Sequence, residues 1–159
     1  MAKLRKILVP TDLSEASNRA VKVAVDLAKT NNAKLILTTV IDALPSTNEE
    51  MIMLRVSVDS VKAYNEKKFT EAEVELRKLI SPVLQKKLGV KFSIRAGKKP
   101  YAEIIRLAAE TAADLIVMSS HGHGRLMEIL LGGNTARVVQ EAPCSVLVVR
   151  SNQRETPIA

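Results

Sequence analysis

The sequence contains one cysteine and no tryptophan, and aromatic residues make up only 3% of it. A single cysteine excludes an internal disulfide and suits a reducing compartment. Cys144 begins the apolar run 144–149, so we expect it to be a buried strand residue rather than a reactive thiol. So few aromatic rings also argue against a stacking platform for single-stranded nucleic acid.

Long apolar runs are absent as well. None reaches the roughly 20 residues that a membrane span needs, and the N-terminus has no stretch typical of a secretory signal. We therefore predict a cytoplasmic protein without a membrane partner. With 159 residues, 47% of them hydrophobic, the chain can form one domain with a full core. We expect this domain to span residues 1–150 and a flexible polar tail to cover 151–159.

The net charge of +7 raises the question of a nucleic-acid partner, because a basic surface attracts phosphate polymers without any sequence readout. The lysines and arginines are scattered along the chain, for example as adjacent pairs at 67–68, 86–87 and 98–99. Neither a basic stripe nor interleaved aromatic residues accompany them. We interpret these pairs as solvated faces and predict no nucleic-acid partner.

Apolar runs alternate with helical patterns along the chain. Helices are predicted over 14–31, over much of 51–88, from Pro100 onward and over 134–140, with a Thr47-x-x-Glu50 capping pair before the second of them. Pro82 should kink or interrupt the long helix, and Gly89 should end it. The predicted strands are 6–10, 33–41, 90–95, 114–118 and 145–149. This alternation predicts an α/β fold, a single-domain Rossmann-like open parallel five-stranded sheet with helices on both faces.

The segment 118–134 is the most informative part of the chain. It follows a buried strand pattern, and Gly132 and Gly133 stand just before the last predicted helix. Glycines let backbone N–H groups approach an anion, and a helix N-terminus carries partial positive charge. A second loop, Pro10-Thr11-Asp12, follows the first strand. Because ligands of such sheets bind beyond the carboxyl ends of the strands, the first candidate ligand is a nucleotide.

Four segments carry a family resemblance: Lys6–Ser14, Ala113–Gly122, Ile129–Gly132 and Ala142–Val149. In order and spacing, over nearly the whole chain, they resemble the universal stress protein family. The resemblance implies the strand order 3-2-1-4-5, a cytoplasmic protein and a homodimer formed along the last strand, Ser145–Val149. Such a dimer has a physical reason, because an open apolar edge strand could otherwise pair with strands of other chains.

Members of that family that bind ATP carry the pattern Gly-x-x-Gly, nine residues, then Gly-Ser or Gly-Thr. Here Gly122 and Gly132 match, whereas Ser119 replaces the first glycine and Gly133 replaces the hydroxyl residue. The missing hydroxyl removes a charge-assisted contact of about 1.5 to 3 kcal/mol. The backbone N–H groups remain and Asn134 offers an amide donor, so we expect binding weakened about tenfold rather than lost.

The resemblance also implies that Asp12 lies near the ribose or a Mg²⁺ held through the nucleotide, and that the backbone of Val40 meets the adenine edge. Each role has a structural alternative: Asp12 as a helix cap, Thr11 and Pro10 as turn residues, and strand-end residues as core. The two histidines of His121-Gly-His123 are too few and too close for a metal site. The predicted nucleotide-binding set is Pro10, Thr11, Asp12, Val40, Met118, Ser119, His121, Gly122, Arg125, Gly132, Gly133 and Asn134.

The sequence therefore predicts a stress-response regulatory protein that binds Mg-ATP, acts as a nucleotide-dependent switch and has an unidentified protein partner. Two alternatives stay open: a nucleotide-free dimeric interaction module of the same fold, and a slow ATPase or phosphotransferase. No catalytic residue is predicted, because phosphoryl transfer needs charge stabilisation, metal positioning and an oriented nucleophile, and Asp12 alone does not supply them. No Walker-type Gly-Lys-Ser/Thr follows a glycine loop either.

Overall fold

The computed structural model describes residues 3–44, 47–120 and 131–150, and its central feature is a sheet of five parallel strands. The strands are β1 (Lys6–Pro10), β2 (Lys34–Ile41), β3 (Lys91–Ala96), β4 (Leu115–Ser119) and β5 (Ser145–Val149). Their order, β3-β2-β1-β4-β5, confirms both the predicted Rossmann-like α/β class and the order that the family resemblance implies.

Helices cover both faces of this sheet. Within the described residues they are α1 (Glu15–Asn31), α2 (Asn48–Leu54), α3 (Val58–Lys78), α4 (Pro82–Lys87), α5 (Pro100–Thr111) and α6 (Gly133–Glu141). Helices α1, α3 and α4 pack on one face, and α5 and α6 pack on the other. None of these described helices is long and apolar enough to cross a bilayer.

Burial on both faces of the sheet explains why the central strand β1 is apolar at successive positions. Side chains of a strand alternate between the two faces of the sheet. Ile7 and Val9 enter the core cluster beneath α1 and α3, while Leu8 enters the cluster beneath α5 and α6. All three are completely buried. A strand buried on both faces therefore reads as one continuous apolar run.

The long helix predicted over much of 51–88 is interrupted twice. The interruption at Pro82 was predicted: Pro82 is the first residue of α4, where its missing N–H costs nothing. Gly89 follows the end of α4 with a φ of +56°, which confirms the predicted stop signal. In this left-handed region a residue with a Cβ is disfavoured, so glycine suits the position.

The second interruption, between α2 and α3, was not predicted. Arg55 ends α2 in the left-handed region with a φ of 52°, and Ser57 then caps α3 by accepting a hydrogen bond from Ser60 N at 3.1 Å. A serine cap satisfies a first-turn N–H group, so a new helix can start within a helical pattern. Helix α2 itself has the predicted Thr47 and Glu50 pair at its start, with Glu50 N at 3.4 Å from Thr47 Oγ1.

Cys144 differs from its prediction. It lies one residue before β5 and is only partly buried. Because β5 is the outermost strand of the sheet and pairs with β4 on one side, its surroundings are half open. Burial, and to a smaller extent the negative charge of Asp114, raises the pKa of the Cys144 thiol above its ordinary value. The thiol therefore stays protonated, as expected for a residue with a structural role.

At the amino end of the sheet, Asp114 ties β4 to β1. Its Oδ2 accepts hydrogen bonds from the backbone N–H groups of Arg5 at 2.8 Å and Lys6 at 2.9 Å. These two hydrogen bonds favour the carboxylate form and hold the pKa of Asp114 below its ordinary value of 3.8. The positive charges of Arg5 and Lys6 act in the same direction, and burial opposes them.

This contact predicts a dependence of stability on acid. A carboxyl group with a depressed folded-state pKa stabilises the fold above its unfolded value, here 3.8, and loses that contribution as the pH falls through the lower folded value. Asp114→Asn cannot titrate. Urea unfolding of both proteins should therefore give a difference in unfolding free energy that shrinks from about pH 5 to about pH 3. A difference that stays constant over this range would contradict the assignment.

Candidate functional site

The carboxyl end of the sheet opens between β1 and β4. Strand β1 stays paired with β2 as far as Pro10, which lies opposite Thr38. Its pairing with β4 ends earlier, at Leu8 opposite Ile116. Strand β4 nevertheless continues to Ser119 alongside β5. In the described residues, the ends of β1 and β4 therefore separate at the point where the strand order reverses, which is where open α/β sheets bind ligands.

Pro10 gives a chemical reason for this separation. Alternate residues of a strand direct their backbone groups to opposite neighbours. The backbone groups of Arg5 and Thr11 each make a 2.8 Å hydrogen bond to β2, whereas the Lys6 carbonyl accepts a hydrogen bond at 2.9 Å from the residue that precedes β4. Pro10 lies four residues after Lys6 and directs its backbone groups to the same neighbouring strand, so its nitrogen faces β4. That nitrogen has no hydrogen to donate, and the β1–β4 ladder cannot continue there.

The turn after β1 is fixed by Thr11. The Thr11 hydroxyl accepts a hydrogen bond from Leu13 N at 3.0 Å and lies 2.7 Å from the hydroxyl of Ser17 in α1. Leu13 has a φ of 64°, an uncommon conformation for a residue with a branched side chain. The hydrogen bond from Leu13 N confirms the alternative that Thr11 serves as a turn residue, and its side chain is buried. Its predicted contact with a nucleotide stays a prediction.

Asp12 does not cap α1. That cap is Ser14, whose hydroxyl accepts from Ser17 N, and Asp12 instead accepts hydrogen bonds from the Ser14 N–H at 3.1 Å and from the Ser14 hydroxyl. The capping alternative for Asp12 is therefore wrong, because the chain turns through Leu13 before the helix begins. The carboxylate is exposed at the carboxyl edge of the sheet. Across the described residues, no group of three or more His, Cys, Asp or Glu side chains forms a ready-made metal site.

Ser119, which replaces the first glycine of the family pattern, lies in β4 and has strand conformation. Any residue adopts this conformation, so the replacement costs no backbone strain. Beyond it, Ser120 N donates to Val149 O and Gly132 N donates to Ser120 O, both at 2.9 Å. The start of α6 is thus tied directly to the end of β4. The predicted residues His121, Gly122 and Arg125, together with His123, lie outside the described residues.

Helix α6 begins at the open edge with two glycines. Gly132 is its N-cap, with a φ of −56°, and Gly133 is its first residue. A Cβ added to Gly133 would meet no atom within 4 Å. Helix N-termini present backbone N–H groups without partners in the helix and partial positive charge, which suits an anion. The space beside Gly133 would therefore accommodate the serine or threonine of the full family pattern.

Two side chains near the start of α6 hold it in place, and one of them was predicted to have another role. Asn134 Oδ1 accepts a hydrogen bond from Tyr101 N at 3.2 Å, in the first turn of α5, where the N-cap residue Lys99 supplies no side-chain bond. The Asn134 oxygen is thus engaged with α5, and its predicted contact with a phosphate stays a prediction. The guanidinium of Arg137 stacks on the Tyr101 ring at 5.5 Å from its centroid.

Thr135 was not identified from the sequence. Its buried hydroxyl donates to Ser119 O at 3.0 Å and anchors the first turn of α6 to the end of β4. Ser17 and Thr38 were missed as well. Thr38 lies beside Pro10 in the sheet and is completely buried, and its hydroxyl has no hydrogen-bond partner among the described residues. The sequence gives no signal for such residues, because the contacts and the burial of these hydroxyls depend on elements that are distant along the chain.

Val40 and Met118 are core residues, as their structural alternative stated. Both pack into the cluster beneath α5 and α6, where Met118 is buried and Val40 is partly buried. Their positions near the carboxyl ends of β2 and β4 leave the predicted backbone contact with adenine compatible with core packing.

The model of the universal stress protein family matches residues 3–150 of this chain. The chain belongs to the universal stress protein family. Among its relatives in Methanocaldococcus jannaschii, universal stress protein MJ0531 is 32% identical over 152 residues, which cover 95% of this chain and 85% of that relative. Universal stress protein MJ0577 is 32% identical over 157 residues, covering 92% and 94%.

Solved structures of family members have the same fold. Universal stress protein UspA from Lactobacillus plantarum superposes with a TM-score of 0.71 at 25% identity, covering 94% of this chain and 100% of that one. The structure of MJ0577 superposes with a TM-score of 0.71 at 30% identity, covering 98% and 100%. The sequence resemblance to this family is therefore confirmed.

The anchoring role of Thr135 can be tested by Thr135→Val, which keeps the shape of the side chain and removes the donor to Ser119 O. We expect the free energy of unfolding to fall by about 1 kcal/mol, the typical net contribution of one hydrogen bond. Thr111→Val is the matched control and should cost less, because the Thr111 hydroxyl donates at 2.7 Å to Leu107 O within its own helix and at a part-buried position. Equal losses in the two variants, measured by urea unfolding, would contradict a special role for Thr135.

Proposed function

We propose that this universal stress protein binds an adenine nucleotide, ATP with Mg²⁺, at the carboxyl ends of β1 and β4 and acts as a nucleotide-dependent switch in the cytoplasm. The observation that carries the proposal is the separation of β1 and β4 beyond Leu8 and Ile116, next to a helix that begins with Gly132 and Gly133. An opening at the reversal of strand order and a helix N-terminus are together the usual elements of a nucleotide site.

The comparisons suggest the ligand class to test first. A universal stress protein solved in complex with cAMP shares the fold, with a TM-score of 0.59 at 24% identity. The universal stress protein from Archaeoglobus fulgidus solved with dAMP superposes with a TM-score of 0.55 at 18% identity. At such identities the likeness establishes the fold alone. Those proteins bind adenine nucleotides, and for this chain the proposal rests on its own site.

In the proposed complex, the phosphates lie at the first turn of α6 and the adenine edge meets the backbone of Val40. Asp12 supplies an exposed carboxylate oxygen, the kind of ligand that Mg²⁺ prefers, near the ribose. The metal would be held mainly by the phosphates of the nucleotide, in which case one carboxylate from the protein suffices. Pro10, Met118 and Ser119 border the opening, and we propose that His121, Gly122 and Arg125 complete the loop around the phosphates.

The switch follows from the position of the site. A nucleotide that bridges β1 and α6 stabilises the conformation to which it binds more tightly, and so changes what the protein presents to a regulatory partner. Catalysis is not needed for this role. Retention of ATP without release of ADP over many cycles would agree with a switch, whereas ADP release abolished by Asp12→Ala would favour the slow ATPase.

The phosphate contact can be tested at Gly133. Gly133→Ser restores the hydroxyl of the family pattern at a position where an added Cβ meets no atom within 4 Å. In calorimetric titrations of nucleotide-stripped protein with Mg-ATP we expect micromolar binding by the natural chain and about tenfold tighter binding by this variant. Gly133→Ala is the matched control: it adds the same Cβ without the hydroxyl and should not tighten binding.

A further variant, Gly132→Val, is designed to block the same site. The backbone of Gly132, with a φ of −56° and a ψ of 150°, accepts valine without strain, so the fold should survive. The added side chain should obstruct the approach of phosphate and abolish binding. Unchanged affinity in Gly132→Val would refute the proposed site. If the natural chain gives no heat and carries no co-purified nucleotide, the nucleotide-free interaction module describes it instead.

We further propose that two chains form a homodimer along β5. This strand pairs with β4 on one side, and in the described residues its other edge has no neighbour. Leu147 at its centre is 38% exposed. An apolar outer strand presents unpaired backbone groups and apolar side chains to a second copy.

Leu147→Asp should place a charge in this interface and shift the protein from dimer to monomer in sedimentation analysis. Val83→Asp, at a position in α4 that is 77% exposed and on a different part of the surface, is the control and should leave the dimer intact. A natural chain that sediments as a monomer, or a Leu147→Asp variant that stays dimeric, would contradict this interface.

A further inference from the structure

Helix α3 carries a polar residue on the face that it packs against the sheet. The positions of this face are spaced by three or four residues, and Val61, Ala72 and Leu76 on it are buried. Asn65 and Phe69 occupy the two positions between them and are partly buried. Such a stripe normally holds apolar side chains throughout. A carboxamide within it has to be compensated by hydrogen bonds.

The carboxamide of Asn65 makes two hydrogen bonds to the backbone of one residue outside α3. Its Oδ1 accepts a hydrogen bond from Leu44 N at 2.9 Å, and its Nδ2 donates to Leu44 O at 3.1 Å. One side chain thus satisfies both backbone groups of a residue 21 positions earlier in the chain, as a neighbouring strand would. We call this pair of hydrogen bonds the Asn65–Leu44 clamp.

The clamp lies just beyond the end of β2. The last ladder contact of that strand is the hydrogen bond from Gly97 N to Ile41 O at 3.1 Å. After Ile41 the chain leaves the sheet. The clamp holds the backbone of Leu44, three residues later. Val40, the proposed neighbour of adenine, is the last residue but one of β2, where it pairs with Arg95 of β3. The clamp therefore holds the far end of the segment 42–44, which begins two residues after Val40.

We propose that Asn65 is a positioning residue for the nucleotide site: its carboxamide holds the segment 42–44 in the conformation that receives the adenine. This inference rests on the proposed function. Without the clamp, Leu44 exchanges its two hydrogen bonds for bonds to water and the segment samples further conformations. Apparent affinity falls in proportion to the fraction of molecules that remain competent to bind. Loss of one or two neutral hydrogen bonds corresponds to about fivefold to thirtyfold weaker binding.

Two substitutions separate positioning from stability. Asn65→Leu removes the clamp and places an apolar side chain of similar size on an apolar stripe, so stability should be unchanged or higher. Asn65→Ala removes the clamp without that compensation, so stability should be lower. Both variants should bind Mg-ATP about fivefold to thirtyfold more weakly than the natural chain. A merely structural role would make affinity follow stability and would leave Asn65→Leu with normal binding.

The direct readout is hydrogen exchange of the Leu44 amide in the nucleotide-free protein, measured by NMR together with thermal unfolding and calorimetry. Exchange should be faster in both Asn65 variants. Thr70→Val is the control on the same helix: the Thr70 hydroxyl donates to Glu66 O at 2.9 Å within α3, and neither Leu44 exchange nor affinity should change.

The outcomes distinguish this proposal from the one on which it rests. Faster Leu44 exchange with unchanged affinity overturns the positioning role and leaves the nucleotide site intact. Unchanged Leu44 exchange shows that Asn65 does not hold the segment and also overturns the proposal. Absence of nucleotide binding by the natural chain overturns the proposed function, and the positioning role with it, whatever the exchange rates are.

Discussion

The hydrogen-bond ladder between β1 and β4 ends two residues before β1 does, and the arrangement of the carboxyl edge depends on this. Pro10 directs a nitrogen without a hydrogen toward β4, so the two central strands separate where the strand order reverses. A continuous ladder would close the edge with backbone hydrogen bonds. The interrupted one leaves room between two strands that remain rigid, because each stays paired on its other side.

Around this opening, polar contacts replace the ladder. The Thr11 hydroxyl organises the turn after β1, and the Thr135 hydroxyl joins α6 to the end of β4. Asn134 links α6 to α5, and the Asn65–Leu44 clamp holds the segment after β2. These contacts involve short side chains with one or two hydrogen bonds each. These contacts hold the carboxyl edge of the sheet in one conformation, and apolar packing beneath it supplies the stability.

Several features were predictable because their signals are local. Pro82 begins a new helix after the predicted interruption, because its fixed φ suits a first helical position, and Gly89 follows the end of that helix in the left-handed conformation. The apolar runs of the three inner strands became buried strands in the predicted places, since a strand covered on both faces is apolar at most positions. The break between α2 and α3 was missed because Ser57, a helix cap here, is also tolerated within a helix.

The α/β class, the succession of elements and the family follow from the sequence alone, because periodicity, caps and glycine spacing are properties of neighbouring residues. Which side chains meet at the carboxyl edge depends on the three-dimensional fold. Asn134 and Asn65 bond to residues 33 and 21 positions away, and neither partner could be identified from spacing along the chain. Such contacts depend on strand order and on the packing of helices over the sheet, which bring distant backbone groups within hydrogen-bond distance.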